Sequence, residues 1–278
     1  MFLQAPFGLA SCILLIEKCN EAGIGVEVFT AEELRAEIDV YREQTLYISD
    51  DPQCVDMLLQ KGLPTLIFYH SKNRQTSFPK CRYAMENPQE IGAEYLEEVF
   101  RRYMSLPWDI LETKRCRLRE TTVGDVAHFW EMYKEPAITA YTEGLHTSVE
   151  AEEEYIRDYI KNMYYFYEFG VWTILRKGTD EIIGRAGLSV RDGYEVPELG
   201  YMIGVSHQRK GYAYEVCKGI LRYAAECLGY EQIGALVHRE NQASIALLKK
   251  LGFTYEKGHD EFMDYYVVNV VGKMQDML

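Results

Sequence analysis

The sequence predicts an α/β protein of two domains, a small parallel-sheet α/β domain over residues 1–113 and a mixed-sheet α/β domain over residues 114–278. Three observations lead to this reading. In the first hundred residues short apolar runs alternate with helical periodicity, the pattern of a sheet built through helical crossovers. Near "SLPWDILETKR" (105–115) a helical pattern ends, Pro107 interrupts, and the strand-like "RCRLRE" begins. Further on, three strand-like runs follow one another with only turn-like segments between them, which calls for antiparallel pairing.

The elements follow in order. "CILLIEKCNEAG" reads as a helix with Gly23 near its C-terminal end. "VEVFT" is a strand, "AEELRAEIDVYRE" a helix, "TLYISD" a strand, "PQCVDMLLQKG" a helix and "PTLIFYH" a strand, and right-handed crossovers are expected between them. "GAEYLEEVFRRYM" closes the first domain as a helix. After "RCRLRE" come helical stretches at about 123–134 and 149–164, then the strands "GVWTILRKG", "EIIGRAGLSVR" and "PELGYMIGV". A helix from Tyr212 to Leu228 leads to strand "QIGALVH", helix "NQASIALLKKLG", and strands "FTYEK" and "EFMDYYVVNVV". No internal repeat or low-complexity tract interrupts the chain.

The 278 residues carry a hydrophobic share of 47%, enough for proper cores, and a formal net charge of −13. Lys and Arg number 10 against 18 acids in residues 1–113, and 20 against 25 in residues 114–278. With both parts acidic, neither nucleic acid nor an anionic membrane is an expected partner, and a basic or amine-bearing substrate suits the sign. The seven cysteines (Cys12, Cys19, Cys54, Cys81, Cys116, Cys217, Cys227) form no C-x-x-C pair and no zinc spacing. They read as free thiols of a cytoplasmic protein. The six histidines show no metal-like clustering. "FGLASCILLI" is too short to span a bilayer and lacks a basic leader, so neither a membrane span nor a signal peptide is expected.

The stretch "IGVSHQRKGYAYEV" (203–216) carries the chemistry. A strand-like run breaks into His207-Gln208-Arg209-Lys210-Gly211 and becomes helical at once, with no Ser, Thr, Asp or Asn to cap the helix. Unpaired N–H groups at a helix start, reinforced by the helix dipole, form an anion site. The glycine admits a phosphate close to the backbone, Arg209 and Lys210 add charge, and small Ala213 keeps the approach open. A solvent-exposed turn with incidental basic residues would leave the same trace.

Gln208-x-x-Gly211-x-Ala213 fits the Q/R-x-x-G-x-G/A signature of the GNAT acetyltransferases. Around it, "ELGYMIGVSHQRKGYAYEVCKGILRYA", the downstream "NQASIALLKKLGF" and the upstream "RCRLRETTVGDVAHFWEMY" resemble the branch of that superfamily typified by ribosomal-protein alanine N-acetyltransferases and their small-molecule relatives. The resemblance covers about residues 114–278 and implies the GNAT, or acyl-CoA N-acyltransferase, fold with acetyl-CoA as cosubstrate. It implies that the backbone of Ile203 and Val205 binds the acetyl and pantetheine portion as an added strand would. It also implies that Gln208, Arg209, Lys210, Gly211, Tyr212 and Ala213 form the pyrophosphate loop, and that Asn241, with Ser244, meets the pantetheine arm. Asn241 is at the same time placed as a helix N-cap, which leaves its amide free.

The resemblance further implies direct transfer of an acetyl group to a primary amine on a small molecule or a peptide N-terminus. A backbone N–H near Val205 would face the carbonyl oxygen, and Glu198 is the first candidate for the base. An exposed or salt-bridged Glu198 is the competing expectation. Many members of the family carry a tyrosine seven residues after the asparagine, where this chain has Leu248, so the thiolate's proton donor stays unassigned. That departure motivates an alternative, a non-catalytic acetyl-CoA sensor acting through residues 1–113. Glu143, His146 and the aromatic run "YYFYEF" (164–169) fall in and after the helical segment that shapes the acceptor pocket in this fold. A cluster of aromatics belongs more often to a core than to a pocket, and none of these is taken as a site residue. In the first domain, "YISDDPQCVDMLLQKGLPTLIFYH" is reminiscent of the late acidic segment of haloacid-dehalogenase-like folds. The chain has no D-x-D-x-T nucleophile motif, and Asp50-Asp51-Pro52 also suits a strand-end turn and helix start. The expectation is therefore a Rossmann-like accessory domain without a phosphatase site.

Overall fold

Tyr47 and Ile48 are neighbours in sequence yet bury into different cores, which requires a strand covered on both faces. The computed structural model describes residues 2–4, 9–37, 45–142 and 144–270, and the chain divides into two units, Met1–Trp108 and Asp109–Leu278. The first unit holds β1 (Phe2–Gln4), α1 (Leu9–Glu21), β2 (Glu27–Val28), α2 (Ala31–Glu37), β3 (Tyr47–Ser49), α3 (Pro52–Gln60), β4 (Thr65–Phe68), β5 (Tyr83–Met85) and α4 (Ala93–Tyr103). Its sheet runs β2-β1-β3-β4-β5 and is parallel throughout. Leu15, Ile48, Phe68, Leu96 and Val99 pack on one face, and Leu34, Tyr47, Cys54 and Leu58 on the other.

Asp51 caps α3, its Oδ1 accepting from Gln53 N and Cys54 N at 2.8 and 2.9 Å, with Pro52 in the first turn. Asp50 is buried and pairs with His70 Nε2 at 3.2 Å. Desolvation outweighs that partner and holds its carboxyl above the ordinary range. The acidic pair therefore serves a helix start and a side-chain contact. Among the described residues no group of three His, Cys, Asp or Glu could hold a metal ion.

The second unit begins at Asp109, ahead of the 113/114 boundary drawn from sequence, because β6 (Asp109–Glu112) pairs antiparallel with β7 (Cys116–Glu120). Then come α5 (Val126–Met132), α6 (Pro136–Thr139), α7 (Val149–Tyr159), a π-helical turn over Ile160–Tyr164, α8 (Tyr165–Tyr167), β8 (Val171–Arg176), β9 (Glu181–Ser189) and β10 (Glu198–Ile203). A 3₁₀ turn over Val205–His207 leads to α9 (Tyr212–Glu226), β11 (Gln232–His238), α10 (Gln242–Lys250), β12 (Thr254–Gly258) and β13 (Met263–Asn269). The sheet order is β12-β13-β11-β10-β9-β8-β7-β6, antiparallel except at β10/β11. On α9, Val216, Cys217, Ile220, Leu221 and Ala224 form one buried face against the sheet. Each large apolar side chain fully buried this way contributes about 1.5–3 kcal/mol. Phe129 and Ile138 cover Met202 on the opposite face.

The six cysteines with described side chains are free thiols, and Cys12 lies outside that set. No helix among the described residues is long and apolar enough to cross a membrane.

One polar network fixes the sheet to the helices that follow β7. Arg119 grips buried Asp125 with two bonds of 2.7 Å, while Thr122 N and Thr173 Oγ1 donate to Asp125 Oδ2 at 2.9 and 2.8 Å. Burial by itself raises this carboxyl, but the four bonds outweigh it and hold the group below the usual carboxylate range. Its stabilisation is therefore complete above the unfolded aspartate value, about 3.9, and is lost as pH falls through the lower native value. D125N removes a buried charge pair's partner and is expected to cost about 3–5 kcal/mol at neutral pH. Denaturant titrations at pH 7 and at pH 3 check this, and the gap between the two proteins should shrink at the lower pH.

Candidate active site

Gly204 decides where β10 ends. Its N–H donates to Ile183 O at 2.9 Å and its carbonyl accepts from His207 N at 2.8 Å, which turns the chain out of the sheet. The strand thus stops at Ile203, and Val205 begins a 3₁₀ turn rather than ending the strand as expected. On the β11 side, pairing is limited to the bridge Glu198↔Gly234. From there to Ile203 that edge of β10 has no strand partner, and Val205 N has no protein acceptor among the described residues. The carbonyl of Ile203 is engaged, because Gln208 Nε2 donates to it at 2.9 Å. Gln208 N also bonds Val205 O, at 3.2 Å, so Gln208 braces the loop with both donors.

The loop then takes two left-handed residues, Arg209 at φ 57° and Gly211 at φ 82°. A side chain at Gly211 would be strained there, and its Cβ would lie 3.4 Å from Arg115 Nη2. The first helical bond of α9 is Glu215 N to Gly211 O at 3.1 Å. Among the described residues no protein group accepts from the main-chain N–H groups of residues 209–214. Six donors around a helix start, aided by the helix dipole, make an anion cradle. Lys210 Nζ turns back to Ser206 O at 2.8 Å.

A brace absent from the sequence reading holds this loop. Arg115 Nη1 donates to Lys210 O at 3.0 Å, and its guanidinium lies 4.3 Å from the Tyr212 ring centroid. Glu215 fixes Arg115 in turn through Nε at 2.6 Å and the backbone N at 2.7 Å, and also accepts from Thr113 Oγ1 at 2.7 Å. Burial raises the Glu215 carboxyl, but these donors outweigh it and leave it below its ordinary range.

Asn241 caps α10, its Oδ1 accepting from Ser244 N at 3.0 Å while its Nδ2 has no protein partner among the described residues. The Ser244 hydroxyl meets Tyr201 Oη at 2.6 Å, so a phenol bridges β10 and α10. Desolvation raises the pKa of that phenol. Leu248 is buried in the core.

On the sheet face that carries Met202, a cavity of about 430 Å³ opens between α7 and the strands. Gly200, Tyr201 and Met202 of β10 form one wall, and a Cβ at Gly200 would meet no atom within 4 Å. Opposite stand His146, Glu152, Tyr155 and Tyr159, with Tyr133 and Arg185 beside them. Glu152, 3% exposed, accepts from His146 N at 3.0 Å and lies 2.8 Å from His146 Nδ1. A buried carboxylate so placed fixes the proton on Nδ1, and Nε2 has no protein partner among the described residues. Tyr159 Oη accepts from Val171 N at 2.8 Å, and burial pushes its phenol up to about 12, so it stays protonated.

Glu198 is not in the cavity wall. Its carboxylate is held by Arg191 Nε at 2.5 Å. Glu143 lies outside the described residues. The aromatic run divides: Tyr164 and Phe169 are core residues, Tyr164 bonding Thr121 N and Val171 O, whereas Phe166 is 76% exposed.

Comparison with known proteins agrees with this geometry. The model of the acetyltransferase (GNAT) domain matches residues 115–254. The uncharacterized N-acetyltransferase YoaA of Bacillus subtilis is 34% identical over 149 residues, covering 53% of this chain and 84% of that protein. The uncharacterized N-acetyltransferase p20 of Bacillus licheniformis is 27% identical over 171 residues, covering 59% and 96%. Among solved structures, an acetyltransferase from Agrobacterium tumefaciens shares the fold at a TM-score of 0.51 and 22% identity, over 57% of this chain and 93% of that one. A strand–glycine–helix loop with bare amides, a parallel pair that parts after one bridge and a family match over residues 115–254 lead to one assignment: the chain belongs to the GNAT acetyltransferase family.

Proposed function

We propose that the protein is an N-acetyltransferase that moves the acetyl group of acetyl-CoA to a primary amine by direct transfer in a ternary complex. The observation that carries the proposal is the row of unaccepted main-chain N–H groups over residues 209–214, beside an unpaired strand edge. The residues fit the cosubstrate: the amides, Arg209 and Lys210 match a diphosphate, and Asn241 Nδ2 matches an amide-bearing arm. When bound, acetyl-CoA supplies an activated acyl group on a thiolate leaving group.

The chain's own residues have three tasks. The cavity holds the amine against β10, so that encounter is replaced by position. His146 Nε2 takes the amine's proton as the C–N bond forms, and Glu152 holds the imidazole in that tautomer. The N–H of Val205 is the donor for negative charge on the carbonyl oxygen as the C–S bond breaks. We assign the base to His146 rather than to Glu198, whose carboxylate is occupied by Arg191. A second reading, a non-catalytic acetyl-CoA sensor, draws on buried Leu248, which puts no phenol at that place on α10. CoA release with a panel of amines separates the two, since a sensor releases none.

Acetyl-CoA at a hundred times its dissociation constant should stabilise the protein by about 2.7 kcal/mol. A thermal-shift titration measures this, and G211V should abolish the shift by straining the loop. No shift in the wild type at saturating acetyl-CoA contradicts the proposal. E215Q, which loosens the hold on Arg115, should weaken acetyl-CoA binding and speed tryptic cleavage after Arg209 and Lys210. For the proton step, H146Q should lower kcat by about a hundredfold or more while the acetyl-CoA shift survives. Steady-state kinetics in which E198Q shows that loss and H146Q does not would return the base to Glu198.

A further inference from the structure

The cavity also contains a cation without an acid. Arg185 sits on β9 opposite Met202 of β10 and Thr173 of β8, and its side chain lines the cavity. Its guanidinium lies 5.0 and 5.4 Å from the ring centroids of Tyr133 and Phe129, and Nη2 donates to Tyr133 Oη at 2.5 Å. Among the described residues no carboxylate lies within ion-pair distance of it. The contrast within the same unit is sharp: Arg115, Arg117, Arg119, Arg191 and Arg239 each hold an Asp or Glu. Acids are not scarce, since the chain has 43 of them against 30 Lys and Arg. The cavity's own buried acid, Glu152, is taken by His146.

A guanidinium carries five N–H donors in a planar fork that matches a carboxylate with two parallel bonds. Two aromatic faces hold this one in place and leave most of its donors unused. A half-buried, oriented, unneutralised cation is a receptor for an anionic group. The volume of about 430 Å³ suits a ligand of small-molecule size or the end of a peptide.

We infer that Arg185 selects an acceptor whose amine is accompanied by a carboxylate, the guanidinium binding the carboxylate while the amine faces His146 and β10. The inference rests on the acyl-transfer reading above. It disfavours polyamines, whose second ammonium would meet Arg185 with like charge. A free amino acid and a peptide N-terminus with an acidic side chain share the required chemistry.

Matched acceptors test this through CoA release on the full-length chain: free amino acids against their amides, peptides with an acidic against a neutral first residue, and spermidine. In the wild type kcat/KM for the carboxylate-bearing member of at least one set should exceed that for its neutral partner by about tenfold or more. The set that shows the preference tells a free amino acid from a peptide. R185M should reduce that ratio to near one, and R185K, which keeps the charge but not the fork, should retain part of it. A retained acetyl-CoA thermal shift shows that each variant is folded, and if R185M is not, R185K alone must still lower the ratio. Equal use of neutral amides or spermidine overturns the inference with acyl transfer intact, as does a ratio unchanged in the folded variants. Release from no acceptor overturns it together with the acyl-transfer reading.

Discussion

The parallel pairing of β10 with β11 stops after one bridge, and the rest of the site depends on that early stop. Main-chain N–H and C=O groups need partners wherever they leave water, and a strand edge without one is a template for an extended ligand. Had the two strands stayed paired to Ile203, the loop that follows would open onto a closed sheet. Instead Gly204 turns away, held by Ile183 and His207, and the chain enters α9 through two left-handed residues. The unpaired edge and the bare helix start are thus consecutive parts of one stretch of backbone.

Such a loop keeps its shape only if something outside it does the holding. Gln208 ties it back to Ile203, and Arg115 reaches it from the start of the domain, itself fixed by Glu215 on the helix that the loop begins. Those contacts use carbonyls and side chains, and among the described residues no protein group accepts from the main-chain amides of residues 209–214. On the opposite face the same economy appears in the allocation of charge. Asp125, Glu152 and Glu198 each have a named cationic or imidazole partner, and Arg185 alone among the arginines of the cavity region is met by phenyl and phenol groups. The Asp125 network carries this order into the cavity wall, because Thr121 lines the cavity and shares a 3.0 Å bond with Thr173.

What could be read in the sequence was what is local. An uncapped glycine between a strand and a helix, and an asparagine before a second helix, each announce themselves within a few residues, and the structure puts Gly211 and Asn241 in those roles. Long periodic runs such as Tyr212–Glu226 and Gln232–His238 were equally plain. β3 and β4, equally short, stood inside longer apolar runs that flagged them, whereas β1, β5 and β6 have no such run around them, and β6 moved the start of the second unit to Asp109. The 3₁₀ turn at Val205 hid behind an apolar sequence that also suits a strand. His146 stood out in the sequence, but its bond to Glu152 six residues on did not, because a short loop into a helix leaves no spacing rule for it. Arg185 and Arg115 were hidden because their partners are set by sheet register and by a loop far along the chain. Glu198 drew notice by sitting on the right strand, but the position of a residue on a strand does not reveal that Arg191 holds its carboxylate.

Backbone amide resonances of residues 209–214, followed by ¹H–¹⁵N NMR during a titration with acetyl-CoA, address the central claim most directly. If these N–H groups receive a diphosphate, their signals should move downfield together and become slower to exchange, while amides inside α9 beyond its first turn stay nearly fixed. Signals that remain in place at saturating acetyl-CoA would mean that the cradle binds nothing of the kind, and the account built on it would be wrong.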